Sequence, residues 1–180
     1  MHERRYDAEI ERLRSPERME RLEVQRVINL CLEGTVVNSV LDVGTGSGIF
    51  AEGFAEKVAT VAGIDANPEM IKVSKELVPK ANFQEATAES IPFADKSFDL
   101  VFLGLVLHEA DDAQKALSES KRCAKQSVVV LEWPYKEEDA GPPLEHRLKS
   151  DDVVVMAKSV GFKTITITSL SDLLLYQLLV

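Results

Sequence analysis

Apolar positions along the chain follow two different periods. Val24, Val27, Ile28 and Cys31 fall at i, i+3, i+4 and i+7, one face of a helix that Gly34 stops. From residue 39 onward, short apolar runs alternate with helical patterns. Ser39–Val43, Thr60–Ile64, Asn82–Ala86, Phe98–Leu103 and Ser127–Leu131 read as five strands. Helices are expected over about Ser47–Lys57, from Asn67-Pro68-Glu69 to about Leu77, and from Asp111 or Asp112 to about Ala124. Pro134–Lys149 is a loop rich in proline, glycine and charge, and Ser150-Asp151-Asp152 is expected to cap a last helix that ends at Gly161. Two more strands, Lys163–Thr168 and Leu173–Leu179, are separated by only Ser169-Leu170-Ser171-Asp172. A right-handed helical crossover cannot fit there, so these two should pair antiparallel. The pattern predicts an α/β fold: a doubly wound, mostly parallel seven-stranded sheet with helices on both faces and an antiparallel C-terminal strand. One domain is expected, with N-terminal helices (residues 1–34) packed on a core of residues 35–180.

Before that core, helices are predicted over about Glu3–Arg14 and again after Ser15-Pro16-Glu17, with Ser15 capping. Arg4, Arg5, Arg12, Arg14, Arg18 and Arg21 are interleaved here with glutamates, and the expected reading is a solvated helix face.

The Val40-Leu41-Asp42-Val43-Gly44-Thr45-Gly46-Ser47-Gly48-Ile49 segment carries the chemistry. A strand enters a turn whose glycines let backbone approach a ligand, and a helix N-terminus follows. Ile49 stands where a dinucleotide fingerprint needs its third glycine, and no Gly-Lys-Ser/Thr follows to make a P-loop. Asp42 is expected at the mouth of the loop, where it would repel a pyrophosphate and suit an ammonium. S-adenosylmethionine (SAM) carries an ammonium and a sulfonium and no phosphate. Asp65 closes the second strand, beside the first, where its carboxylate can accept both ribose hydroxyls; Asn67 already serves as the following helix's cap.

Asp42-x-Gly44-x-Gly46-x-Gly48, then Asp65, then Ala88-Glu89-Ser90-Ile91-Pro92-Phe93-Ala94-Asp95-Lys96-Ser97-Phe98-Asp99 resemble successive motifs of the class I SAM-dependent methyltransferases. The likeness is to their small-molecule branch, which includes quinone-biosynthesis enzymes, and it covers roughly Val40–Leu131. It implies methyl transfer from SAM to a small-molecule acceptor, with S-adenosylhomocysteine as product. It also implies a cofactor-binding set of Asp42, Gly44, Thr45, Gly46, Gly48, Asp65, Ala66, Met70, Thr87, Ala88, Glu89 and Leu103. In that set Asp42 would approach the methionine ammonium, Ala66 and Met70 would flank the adenine, and Ala88 would offer its N–H to the adenine edge. Many relatives have aspartate where this chain has Thr87, so either the weaker hydroxyl accepts the adenine amino group or Glu89 takes its place. Two other classes stay open: a catalytically silent SAM-binding sensor or partner subunit, and a nicotinamide-dependent oxidoreductase, which Ile49 and Asp42 disfavour.

On the acceptor side, His108 follows the fourth strand and is a candidate general base; alternatively it only shapes the helix start by local hydrogen bonds. His108, Glu109 and Asp111 are adjacent on one turn, an arrangement that rarely converges on one ion, so no metal is expected. Arg147 or His146 is a candidate to meet an anionic group, or a simple salt bridge in a connecting loop. Tyr6 and the N-terminal helices are candidates for a lid. The chain is short for such a family, so a compact acceptor site is expected, shallow or completed by a second copy in a homodimer.

Charge narrows the partners. The formal net charge of −9, from 30 acidic and 21 basic residues, repels phosphate backbones and argues against nucleic acid. Cys31 and Cys123 are too few for a disulfide framework or zinc site and read as core positions. Met1-His2-Glu3-Arg4 is followed by charge rather than an apolar run, and Leu100–Leu107 is far short of the ~20 residues a membrane span needs, so a cytoplasmic location is expected.

Overall fold

The structure, a computed structural model, describes residues 12–180. Most of the helix expected over Glu3–Arg14, with Tyr6, Arg4 and Arg5, lies outside the described residues.

Ser15 caps helix α1 (Pro16–Leu22), its hydroxyl accepting from the Arg18 N–H at 3.3 Å. Helix α2 (Val24–Leu32) follows and buries Val24, Val27, Ile28 and Cys31, the stripe its spacing sets out. The remaining elements run β1 (Ser39–Val43), α3 (Ile49–Ala55), β2 (Thr60–Asp65), α4 (Pro68–Leu77), β3 (Asn82–Glu85), β4 (Phe98–Gly104), α5 (Ala113–Cys123), β5 (Ala124–Glu132), α6 (Ser150–Val160), β6 (Thr164–Ser169) and β7 (Leu174–Leu179). The seven strands form one sheet in the order β3-β2-β1-β4-β5-β7-β6. β7 is antiparallel to both neighbours, β5 and β6, and the other pairs are parallel.

Alternate residues of the central strands supply two cores. Val40, Leu100, Phe102 and Val129 face α2, α3 and α4, where Ile28, Phe54 and Ile71 meet them. Leu41, Val43, Val101, Leu103 and Val130 face α5 and α6, against Leu117, Val153 and Ala157. Near-continuous apolar strands are what a sheet covered on both faces requires. Both cysteines are buried.

Several boundaries differ from the sequence expectation. α3 occupies Ile49–Ala55 rather than Ser47–Lys57, because Thr45–Gly48 stay in the loop. β5 begins at Ala124, three residues early, directly at the end of α5. Ser150 does not cap α6: Lys149 holds the cap position without a side-chain bond, and the Ser150 hydroxyl accepts from the Tyr176 hydroxyl at 3.0 Å instead. Gly161 ends α6 at φ 95° as expected. Among the described residues, no helix is long and apolar enough to cross a membrane.

Candidate active site

The C-terminal ends of β1, β2, β3 and β4 meet around one cleft, the place where an open parallel sheet leaves room for ligand. Its volume is about 230 Å³. One wall is Gly44, Asp65 and Ala66; another is Ala86, Thr87, Ala88 and Glu89; the third is Leu105, Val106, Glu109, Ala110 and Asp111. Four of these side chains are carboxylates and none is a cation.

The glycine loop has a backbone shape that side chains resist. Gly44 lies at φ 67°, and a Cβ there would stand 2.5 Å from the Val106 side chain. Gly46, at φ 53°, has nothing within 4 Å of a would-be Cβ. The first glycine thus lets the loop pack against the β4 turn, and the second leaves open space above it. Asp65 ties loop to strand: its Oδ2 accepts from the Gly46 N–H at 2.8 Å and its Oδ1 from the Asn67 N–H at 2.9 Å. Asn67, not Asp65, caps α4 through the Glu69 N–H at 2.9 Å.

The remaining expected cofactor residues stand elsewhere. Asp42 is not at the mouth of the loop. It points beneath it, 1% exposed, and its Oδ2 accepts the Thr45 hydroxyl at 2.7 Å. Among the described residues no lysine or arginine pairs with it; burial is the main force raising its pKa to about 7, opposed by the Thr45 bond. Thr45 is buried with it, its N–H donating to the Ile64 carbonyl at 2.9 Å. Leu103 points from β4 into the core shared with α5, and Met70 is a buried residue of α4; neither is in the lining of the cleft. Gly48 precedes α3 and faces Val78 and Ser74. Gly44, Asp65, Ala66, Thr87, Ala88 and Glu89 are the expected residues that do converge.

A second cavity, of about 580 Å³, lies between the N-terminal helices and the loop after β5. Its walls include Arg12, Arg18 and Arg21 on one side and Trp133, Gly141 and Pro142 on the other. Leu105 and Glu109 line both cavities, so they adjoin. Leu105, at this junction, is held in the left-handed region at φ 60°, a strained setting for a branched residue.

His108 lines the second cavity, its side chain 5% exposed. Glu132, the last residue of β5, reaches across to it: Oε2 lies 2.8 Å from His108 Nδ1, and Oε1 accepts from the His108 backbone N–H at 3.1 Å. Glu132 Oε2 also accepts from the Trp133 N–H at 3.2 Å. Burial alone would lower the His108 pKa. The Glu132 hydrogen bond and charge, helped by Glu109, outweigh it and leave the pKa raised. A carboxylate on Nδ1 fixes that nitrogen as the donor, while Nε2 lies 3.8 Å from Glu109 Oε1, at the junction with the first cavity. Sequence reasoning passed over Glu132 because a buried glutamate ending an apolar strand shows no partner until the chain folds.

Arg147 is turned inward onto its own loop rather than toward either cavity. Its guanidinium is 1% exposed and donates to the carbonyls of Pro134, Lys136, Ala140 and Pro142 and to Glu138, and it stacks over Trp133 at 5.4 Å. It is the clasp of the loop after β5. His146 is exposed and outside the cavity lining. Of the N-terminal arginines, Arg12 is exposed, as a solvated face requires, but Arg14 is not on such a face. Arg14 donates to the Ser47 carbonyl at 2.7 Å and pairs with Glu52 at 2.9 Å, pinning the N-terminal segment onto the glycine loop.

Residues 41–131, about half of the chain, match a family described as a methyltransferase domain. The chain belongs to this family, whose class I members use SAM. It is 39% identical over 97 residues to the uncharacterized methyltransferase YcgJ of Bacillus subtilis, covering 51% of this chain and 38% of that protein. A demethylmenaquinone methyltransferase of Chlorobaculum parvum is 36% identical over 95 residues, covering 52% and 39%. The chain thus spans about two-fifths of the length of these curated relatives. A solved SAM-dependent methyltransferase from Aquifex aeolicus superposes with a TM-score of 0.86 at 25% identity, covering 96% of this chain and 97% of the other.

Proposed function

We propose that this protein transfers the methyl group of SAM to a small-molecule acceptor held in the cavity beside the glycine-loop cleft. One observation carries the cofactor reading. Among the described residues, the cleft at the strand ends presents Asp65, Glu89, Glu109 and Asp111 and no cationic side chain. A pyrophosphate would be repelled there, whereas a sulfonium and an ammonium would be favoured. Asp65 would hold the ribose hydroxyls while keeping its grip on Gly46. Ala66, Thr87, Ala88 and Glu89 would border the adenine, small residues leaving width for a flat ring.

The adjoining cavity supports a direct transfer. The acceptor's nucleophilic atom forms a bond to the methyl carbon as the sulfur–methyl bond breaks. The electron pair stays on sulfur, and S-adenosylhomocysteine leaves. Alignment and exclusion of water do most of the work, because the methyl carbon is already activated. Where the acceptor bears a proton, His108 Nε2 takes it, with Glu132 on Nδ1 stabilising the imidazolium that forms.

The test pairs SAM binding by calorimetry with detection of S-adenosylhomocysteine over a panel of small acceptors. SAM binding with turnover on at least one acceptor is expected. Binding without turnover on any would leave a SAM-binding sensor or partner subunit, and tighter binding of NAD than of SAM would overturn the cofactor reading itself.

A further inference from the structure

We propose that the cavity between the N-terminal helices and the loop after β5 recognises an acceptor bearing an anionic group, carboxylate or phosphate, with Arg18 as the anchor and Arg12 and Arg21 beside it. The proposal rests on the methyl-transfer reading for what happens to the ligand, but not for its binding.

The pairing of the arginines singles this place out. Among the described residues, Arg14, Arg21, Arg26, Arg122 and Arg147 each reach a carboxylate, the partners being Glu52, Asp172, Glu23, Asp95 with Glu119, and Glu138. Arg12 and Arg18 reach none. Both line the same cavity. In a chain with 30 acidic and 21 basic residues, two neighbouring guanidiniums without a carboxylate run against the overall balance.

Arg18 is also the costliest of them to leave so. Its Nε is buried and has no hydrogen-bond partner. Burial lowers its pKa first, and the like charges of Arg12 and Arg21 lower it further, with Glu109 as the offsetting charge. A buried donor without an acceptor is destabilising by itself, so its retention points to an acceptor atom supplied from outside. Glu17, Glu109 and Asp139 line the cavity as well, yet none forms an ion pair with Arg12 or Arg18.

The rest of the lining suggests where the body of the ligand lies. Leu13, Leu105, Trp133 and Pro142 are apolar walls. Trp133 is buried and braced by Arg147, a rigid surface for a ring or short alkyl group. His108 stands on the side of the cavity that adjoins the cofactor cleft through Leu105 and Glu109. An acceptor anchored at Arg18 by its anion would therefore present its other end to His108.

Calorimetric titrations of the full chain loaded with S-adenosylhomocysteine, repeated without it, provide the test. The probes are 4-hydroxybenzoate, its neutral analogue 4-hydroxybenzamide, and phenyl phosphate. An anionic probe should bind at least about tenfold more tightly than the amide, with affinity falling as salt rises. Whichever anion binds more tightly assigns the group as carboxylate or phosphate. Arg18→Gln should abolish the preference for the anion and Arg18→Lys should retain part of it, while S-adenosylhomocysteine affinity, measured on each variant, stays unchanged and reports the fold. Equal affinity for acid and amide, an undiminished preference in Arg18→Gln, or no anion binding at about 10 mM would each overturn the proposal. Loss of S-adenosylhomocysteine binding by the parent protein would instead count against the cofactor reading, since discrimination between acid and amide is read on the unloaded protein too.

Discussion

The two adjoining cavities differ in the charges that they gather. Among the described residues, the cleft over the glycine loop is walled by four carboxylates and no cation, while its neighbour sets Arg12, Arg18 and Arg21 beside Glu17, Glu109 and Asp139. They share Leu105 and Glu109, so the step from an all-acidic lining to a mixed one occurs across a single turn after β4. A net charge of −9 describes neither of them. What matters to a ligand is the local field, which over a few ångströms outweighs the average of the whole surface. On the proposed reading, a cationic donor would lie in the acidic cleft and the acceptor's anion beside Arg18, which no carboxylate among the described residues pairs.

The largest expected effect comes from the junction. His108→Gln should lower turnover by roughly 10²–10⁴-fold on an acceptor that must lose a proton, with SAM affinity unchanged. In the parent protein kcat/KM should rise with pH through a pKa above the ordinary 6.5 of histidine, because Glu132 stabilises the imidazolium. Glu132→Gln should move that inflection downward; an unmoved inflection would remove Glu132 from the mechanism. The same pair affects stability. A raised folded-state pKa means its contribution is fully present below pH 6.5 and is lost as pH climbs through the folded value.

On the acidic side, Asp65→Ala should weaken SAM binding by roughly 2–4 kcal/mol, since two hydrogen bonds to a charged acceptor disappear. Unchanged affinity by calorimetry would mean the ribose is held elsewhere. On the basic side, Arg147→Met should destabilise the fold by roughly 2–3 kcal/mol in urea unfolding, because several buried carbonyls lose their donor at once. A loss confined to ligand binding, with stability intact, would restore Arg147 as a recognition residue.

The smallest effect tests the buried carboxylate between loop and sheet. Asp42 has a folded pKa near 7, raised by burial. Its stabilising contribution is therefore present below about pH 3.8 and is lost as pH rises through 7. Asp42→Asn should stabilise the ligand-free protein at pH 8 by about 1–2 kcal/mol, vanishing near pH 4. It should also weaken SAM binding if the carboxylate faces the methionine ammonium through the loop. A variant less stable at pH 8 would show that the charge is compensated.

Strand existence, strand sense and the place of the cleft were readable from the chain because they follow from short-range rules. A five-residue apolar run bounded by glycine has few options, and a four-residue link cannot cross a sheet. Asp65, Ala66, Thr87, Ala88 and Glu89 fell into the cleft because consecutive parallel strands end on the same side. Asp42 was misplaced by one step of the strand's alternation: it looked like a lip residue beside the turn, but its side chain points under it.

Periodicity and turn chemistry alone determined the doubly wound sheet, its antiparallel seventh strand and the glycine loop at the strand ends. Only the tertiary structure decided which charges meet. It brought Glu132 to His108 across 24 positions and spent Arg147 on loop carbonyls. Among the described residues it also left Arg12 and Arg18 without an ion pair beside an open cavity. The physical reason is range: backbone preferences act within a few residues, whereas the pairing of charged side chains depends on distances that exist only after the chain has folded.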